Sequence, residues 1–319
     1  MKVAIVTNVD NGKGLQRDAE LLTALLESAG HAVTPVHFQK AKTPPHGAFD
    51  LAVFLEVGGP REARFFGCAP VRWLVPNPEW WEPEDSIAPF ARVLCKTGDA
   101  ERIFGQRADA GDRVRFTGWE AQHRRDIAES DAYIKARQHR RMEFLHIAGG
   151  SSVKGTRTIL DAWEQYSIPH RLTVVTSLPF TTPKRPGNVT IMAGRTPEHV
   201  LMRMQREIMV HLQPSEYEGF GHVIHEGLSV GACVLTTDAE PMRSADGVGG
   251  LVRVSSSRPL KSARLWGVSP AAINDAVREV ATRPPEWFED VRVSAIRAFE
   301  DQRAAFRERL LSLLSEDFT

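Results

Sequence analysis

Surplus charge is the first thing this sequence lacks. Lys and Arg together number 40, as do Asp and Glu, so the formal net charge is zero. That removes any global electrostatic case for a nucleic-acid partner and confines such a role to a local patch. Cysteine is scarce as well. Cys68, Cys95 and Cys233 stand far apart, with no CxxC and no His/Cys cluster. A disulfide framework and a zinc site are thereby excluded, and the three read as buried thiols of a reducing compartment. Long apolar runs are missing too. The opening "MKVAIVTNVDNGKG" has too few apolar residues for a secretory leader, and no stretch elsewhere reaches membrane-spanning length. The expectation is a cytoplasmic protein with no membrane span.

What is present is an alternation of strand and helix signals. "KVAIVTN" is a short β-branched run, as in a buried parallel strand. "GLQRDAELLTALLESAG" follows, with Leu21, Leu22, Leu25 and Leu26 at helical spacing and Gly30 as a C-terminal cap. "HAVTPVHF" is the next strand. Strand, glycine loop, helix, strand makes a βαβ unit and so a parallel sheet. Further strands are expected at "DLAVFLEV", "VRWLVPN", "ARVLCKT" and "RVRFTGW". The pattern restarts at "EFLHIAGG", continues through the helix "GTRTILDAWEQY", and adds strands at "RLTVVTS", "NVTIMAG", "EIMVHLQP", "ACVLTTD" and "GGLVRV". From about 286 the chain is helical, with Ile296, Phe299, Phe306, Leu310 and Leu314 recurring at threes and fours. At 319 residues the chain accommodates two domains. The division expected is a Rossmann-like domain over 1–140, a second over 141–285, and a terminal helix, 286–319, packing back across the junction. The fold class is α/β, doubly wound, with a central cleft facing the carboxyl ends of the strands, where such sheets bind nucleotides.

The stretch "EGFGHVIHE" sets Glu218 and Glu226 eight positions apart around Gly219, Phe220 and Gly221. If a helix starts near Gly221, Glu218 sits at its mouth and Glu226 about one turn in. A helix start offers free N–H groups and a positive dipole end, which suit a phosphate. Carboxylates beside it would suit sugar hydroxyls. An acid near a helix start is also an ordinary stabilising feature. Glu226 lies nearer the packed face, where a carboxylate needs a partner. "NVDNGKGLQ" places Gly12, Lys13 and Gly14 between strand and helix. It is neither GxGxxG nor a P-loop, and it reads equally as a simple βα turn. "HIAGGSSVKG" repeats the arrangement with Gly149 and Gly150, and with Lys154 and Gly155 opening the helix. A lysine there opposes the helix dipole, so either a bound diphosphate explains it or it is merely solvated.

The segment "PSEYEGFGHVIHEGLSVGACVLTTD" resembles the E-x7-E region of retaining GT-B glycosyltransferases of the family-4 (group 1) type. Glu218 and Glu226 match the two acids, and Gly231 and Asp238 match positions downstream. "GGSSVKG" resembles the family's lysine loop, "NGKG" its N-terminal glycine loop, and "AGHAV" also matches. The resemblance covers most of the second half and the first forty residues, with several motifs in the right order. It implies a GT-B fold and metal-independent transfer of a sugar from a nucleoside-diphosphate sugar with retention of anomeric configuration. No cofactor beyond that co-substrate is implied, and no metal. Glu218 and Lys154 would be catalytic. Glu218 would contact the transferred sugar, and Lys154 the diphosphate. The backbone of Gly219, Phe220 and Gly221, with His222 beside it, would lie along the donor, and Glu226 would bind its ribose. Gly12, Lys13, Gly14, Gly149 and Gly150 would line the phosphates, and Gly194 and Arg195 would face the base. One departure stands out: the family's second phosphate-binding cation, an arginine, falls at Gly149.

The first half departs from the family pattern beyond residue 40, as a domain carrying the acceptor would. "LVPNPEWWEPED" and "LCKTGDAERIF" place Asn77, Glu79, Trp80 and Lys96 at strand ends as candidate acceptor-binding residues. The tryptophans could equally pack the loop down. "HRRDIAESDAYIKARQHRR" carries Arg124, Arg125, Lys135, Arg137, Arg140 and Arg141 and reads as a solvated linker or a phosphate-contacting strip. Two other readings stay open. The acceptor could be a modified base in DNA or RNA, or the chain could be a non-catalytic nucleotide-sugar-binding module.

Overall fold

The computed structural model describes residues 1–9, 14–124, 142–179 and 186–318. The chain forms two compact units. The first comprises Met1–Gln122, Pro259–Arg264 and Gln302–Thr319; the second comprises His123–Arg258 and Leu265–Asp301.

The first unit is built on a six-stranded sheet of order β2-β1-β3-β4-β5-β6. Its strands are β1 (Lys2–Thr7), β2 (Ala32–His37), β3 (Leu51–Leu55), β4 (Val71–Val75), β5 (Arg92–Cys95) and β6 (Val114–Phe116). Every pairing is parallel. All five residues of β3, and β1 beyond Lys2, are buried, as befits strands covered on both faces. Pro35 lies within β2, which is tolerated because β2 is an edge strand. Helix α1 (Gly14–Ser28) buries Leu22, Leu25 and Leu26, each burial contributing roughly 1.5–3 kcal/mol. Gly30, at φ +83, closes α1 as expected, with His31 N donating to Leu26 O at 3.1 Å and Gly30 N to Glu27 O at 2.9 Å. Helix α2 (Gly98–Gly105) is capped by Thr97, whose hydroxyl accepts from Ala100 N at 3.1 Å. The apolar core gathers Phe54, Phe65, Leu74, Trp81, Phe90 and Phe104.

The second unit repeats the plan with the order β12-β11-β10-β7-β8-β9. Its strands are β7 (Glu143–Gly149), β8 (Arg171–Thr176), β9 (Val189–Ala193), β10 (Val210–Gln213), β11 (Cys233–Thr237) and β12 (Gly250–Val252), again all parallel. The helices α3 (Thr156–Gln165), α4 (Glu198–Glu207), α5 (His222–Ser229) and α6 (Pro270–Ala281) flank the sheet. The core joins Ile159, Leu160 and Trp163 of α3 to Ile273, Val277 and Val280 of α6. Ser269 caps α6, with Pro270 in its first turn, where a missing N–H costs nothing. Helix α7 (Pro285–Phe318) supplies residues through Asp301 to the second unit and from Gln302 onward to the first.

The α/β class and two doubly wound parallel sheets are as the sequence predicts. A two-stranded hairpin, β13 (Val254–Leu260) with β14 (Ala263–Val268), is not among the predicted elements. All three cysteines are buried and free. Among the described residues, no helix is long and apolar enough to cross a membrane.

Candidate functional site

In the second unit the chain runs from β7 outward to β8 and β9, then returns to place β10 on the other side of β7. The strand order therefore reverses between β7 and β10, and at such a point the loops following adjacent strands part to leave a binding crevice. The loop after β7 carries Lys154, and the loop after β10 carries Glu218.

These two loops are joined. Glu216 N donates to Val153 O at 2.8 Å. Gly155 adopts φ +74, and a Cβ there would stand 2.5 Å from Pro214 O, so only glycine permits this approach. Lys154 Nζ donates to both oxygens of Glu218, at 2.5 and 2.6 Å. Ser215 Oγ donates to Glu218 Oε1 at 2.5 Å. Glu218 is buried. The lysine that opposes the helix dipole thus has a protein partner. Behind it, His146 is fully buried, with Nδ1 2.8 Å from Leu212 O and Nε2 2.8 Å from Thr156 Oγ1. Burial lowers this imidazole to about 4, so it is neutral at neutral pH and ties the start of α3 to β10.

Gly221, at φ +90, is the residue before α5, so the helix begins where the sequence places it. Phe220 is buried and stacks on His225, with ring centroids 4.3 Å apart and planes 8° from parallel. Burial, then the neighbouring His222, lowers His225 to about 3.

Glu226 has its partners inside the protein. It is fully buried, and it accepts from Arg124 Nη2 at 3.0 Å and from Gln205 Nε2 at 2.9 Å. Arg124 is itself fully buried, also pairs with Glu198 at the start of α4, and donates its backbone N–H to Ser229 Oγ at 3.0 Å. Burial opposes the Arg124 charge, but Glu226 and Glu198 more than offset it, so the guanidinium lies above its ordinary range. This corrects the reading of Arg124 as part of a solvated linker. A guanidinium with two carboxylate partners is held inside the unit, because exposing it would leave Glu226 buried without compensation. Arg125, Lys135, Arg137, Arg140 and Arg141 lie outside the described residues.

Of the remaining donor candidates, Gly149 (φ +55) and Gly194 (φ +97) end β7 and follow β9 at the same edge of the sheet. They are linked to β8 by Ser177 N to Gly149 O and Gly194 N to Thr176 O, both 2.8 Å. Gly150 follows in a turn, Arg195 is exposed, Gly219 is buried and His222 is half-buried. Gly14 opens α1 in the first unit, and Gly12 and Lys13 lie outside the described residues. Sequence reasoning assigned no role to Ser215, His146 or Gln205, although Ser215 and His146 lie within the quoted stretches, and it placed Arg124 in a solvated or phosphate-contacting strip.

In the first unit, Lys96 is buried and donates to Asp18 Oδ2 at 2.5 Å. Asn77 is buried and donates Nδ2 to Glu56 Oε1. Glu79 is half-buried near Lys96. Trp80 is exposed, with Lys261 Nζ 5.5 Å from its ring, whereas Trp81 packs into the core. Of the pair, Trp81 packs the loop down and Trp80 stands exposed. Among the described residues, no group of three or more His, Cys, Asp or Glu side chains is arranged to hold a metal.

Two six-stranded parallel sheets on one chain, each wound in both directions, define the GT-B fold. Solved structures of this fold match the chain end to end. A sucrose-phosphate synthase from Thermosynechococcus elongatus matches with TM-score 0.71 and 13% identity, covering 100% of this chain and 99% of its own. The HepE protein of Anabaena, in complex with UDP and glucose, matches with TM-score 0.66 and 13% identity, covering 99% of each. An α,α-trehalose-phosphate synthase (UDP-forming) from Burkholderia vietnamiensis matches with TM-score 0.67 and 8% identity over 100% of both chains. Identities this low make the likeness one of fold. No protein-family model matches the sequence, and no curated protein matches it in sequence.

Proposed function

We propose that the chain is a glycosyltransferase of the family-4 type, moving a sugar from a nucleoside-diphosphate sugar held by the second unit to an acceptor held by the first. Transfer proceeds with retention and without a metal. The observation that carries this reading is the Lys154–Glu218 pair, set where the strand order reverses between β7 and β10. A diphosphate competes with Glu218 for the Lys154 ammonium. Once that ion pair opens, Glu218, still held by Ser215, has oxygens free for the hydroxyls of the donor sugar. In the reaction the bond from the anomeric carbon to the phosphate oxygen breaks and the acceptor oxygen bonds to that carbon. The acceptor's hydroxyl proton passes to the leaving phosphate. Lys154 then balances the charge that grows on the diphosphate, a role worth roughly 3–4 kcal/mol for one well-placed donor.

The backbone of Gly219, Phe220 and Gly221 and the loops at Gly149, Gly150, Gly194 and Arg195 complete the donor site. Glu226 takes its ribose role only by exchanging Arg124 or Gln205 for ribose hydroxyls. Two of the similar solved structures name UDP, which makes UDP-glucose the first donor to try. The test is a thermal-shift screen against UDP-, GDP- and ADP-sugars. One nucleotide sugar is expected to stabilise the protein, by about 2.7 kcal/mol at a hundredfold excess over its dissociation constant. A response to none of them, or one that survives in Lys154→Ala, would sink the reading.

A further inference from the structure

The first unit has its own reversal point. The chain passes from β1 to the edge strand β2, then returns to place β3 on the opposite side of β1. Glu56 is the first residue after β3, and Asp18 lies on α1, the helix following β1. Asn77 follows β4 and Lys96 follows β5. Consecutive strand ends thus bring two carboxylates, an amide and an ammonium to one edge of the sheet.

Three features set this cluster apart from a structural ion pair. Glu56 holds φ +58, a left-handed backbone that a non-glycine residue adopts at a cost and that gathers at functional positions. Its carboxylate accepts from Asn77 Nδ2 through Oε1, while Oε2 accepts no hydrogen bond among the described residues. Asn77 is 7% exposed, yet its Oδ1 has no hydrogen-bond partner. Asn77 Oδ1 is therefore a buried acceptor without a donor, requiring an O–H or N–H from elsewhere, and Glu56 Oε2 stays open to a partner.

The cation of the cluster is already committed. Lys96 is 3% exposed, bonds Asp18 at 2.5 Å, and lies 5.2 Å from the centre of the Trp119 ring. Lys261, beside the exposed Trp80, is paired with Glu82 at 2.8 Å. Burial pushes the Glu56 carboxyl up to about 7 against the pull of Lys96, with Asp18 adding to the rise. A phosphate monoester placed here would face Glu56 and Glu79 while the nearby ammonium groups are spent on Asp18 and Glu82. An uncharged hydroxyl group meets no such opposition.

We propose that Glu56 and Asn77 form the acceptor-binding centre of the first unit, and that the group they bind is a hydroxyl on an uncharged portion of the acceptor rather than a phosphate monoester. This rests on the transferase reading above and narrows its acceptor. It also separates the chain from the similar solved structures whose names carry a sugar phosphate. Asn77 supplies a buried oxygen without a donor, Glu56 a carboxyl open to exchange a hydrogen bond with a hydroxyl, and Trp80, on the same loop as Asn77, is exposed for a ring to stack on.

The test uses the full chain with D-glucose, N-acetyl-D-glucosamine and D-glucose 6-phosphate as probes, titrated without any donor and followed by saturation-transfer NMR. D-Glucose and N-acetyl-D-glucosamine are expected to bind at least tenfold more tightly than D-glucose 6-phosphate. Glu56→Gln and Asn77→Ala should each weaken the neutral sugars about tenfold. Binding of all three sugars with equal strength, tighter binding of the phosphate, failure of all three to bind, or neutral-sugar binding indifferent to both substitutions overturns the proposal. The nucleotide-sugar thermal shift is measured on the same variants. Its retention in Glu56→Gln shows that the protein is folded and its donor site whole, so loss of sugar binding is then local. Absence of that shift in the unsubstituted protein counts against the transferase reading alone, because the acceptor titration needs no donor.

Discussion

Lys154 Nζ donates to both carboxylate oxygens of Glu218, at 2.5 and 2.6 Å, across the two loops that flank the strand reversal of the second sheet. Without a ligand, the two groups that the motif marks as catalytic neutralise each other. The pair gives the buried Glu218 carboxylate a partner and holds it aimed, and it keeps Lys154 in place for an incoming anion.

From this pairing follows a separation of effects. Lys154→Ala is expected to weaken nucleotide-sugar binding about tenfold or more, since it removes a charge-assisted contact worth roughly 1.5–3 kcal/mol. Glu218→Gln should leave the nucleotide affinity within a fewfold while cutting transfer a hundredfold or more. Calorimetry with the free nucleotide and a transfer assay read the two effects independently. Equal loss of both in Glu218→Gln would contradict the assignment.

Gly155 provides a steric test of how the loops are held together. At φ +74, with Pro214 O 2.5 Å from where a Cβ would lie, alanine forces the loop after β7 away from the loop after β10. Gly155→Ala should cost about 1–3 kcal/mol of stability from backbone strain alone, and it should abolish nucleotide binding in protein that remains folded. Gly149→Ala is the control, because a Cβ there meets no atom within 4 Å although its φ of +55 is also left-handed. The two variants separate strain from close approach, measured by denaturant unfolding and nucleotide titration.

Glu226 and Arg124 mark where sequence reading stops. The spacing of Glu218 and Glu226 around Gly221 was legible, because a helix start imposes local rules and the motif lies within nine residues. The partners of Glu226 were not. Arg124 stands 102 positions away and Gln205 stands 21 away, and nothing local in "HRRD" distinguishes a buried guanidinium from a solvated one. The β13–β14 hairpin escaped for a different reason. In β13, Ser255, Ser256, Ser257 and Arg258 are all exposed, so that strand carries no apolar alternation for period two to reveal, and in β14 the alternation is confined to Ala263, Arg264 and Leu265. Glu56 was hidden behind an apolar run that reads simply as strand, since a left-handed backbone at a non-glycine residue leaves no trace in the chain.

The buried Arg124–Glu226 pair should behave as a unit. Arg124→Met leaves Glu226 charged, fully buried and short of one donor, and is expected to destabilise the protein by about 3–5 kcal/mol. Adding Glu226→Gln should recover much of that loss, because the neutral amide no longer needs the guanidinium. A double-mutant cycle by urea unfolding measures the coupling. Additive losses would mean that the two side chains are independent.

The buried imidazoles and Glu56 give stability opposite slopes with pH. Burial lowers His146 to about 4 and His225 to about 3. Their contribution is complete above the unfolded value near 6.5 and is lost as pH falls towards those folded values, on the order of 2 kcal/mol for His146 by pH 5. Glu56 runs the other way. Its folded value is raised to about 7, so its contribution is complete below the unfolded value of 4.5 and is lost as pH rises through 7. Glu56→Gln should therefore gain on the unsubstituted protein as pH rises, by roughly 2–3 kcal/mol between pH 5 and pH 8. The histidine contributions cancel in that comparison, because both proteins carry them. Unfolding curves of the two proteins at pH 5, 6.5 and 8 decide the point. A difference that stays constant with pH would show that Glu56 does not hold its proton in the folded state.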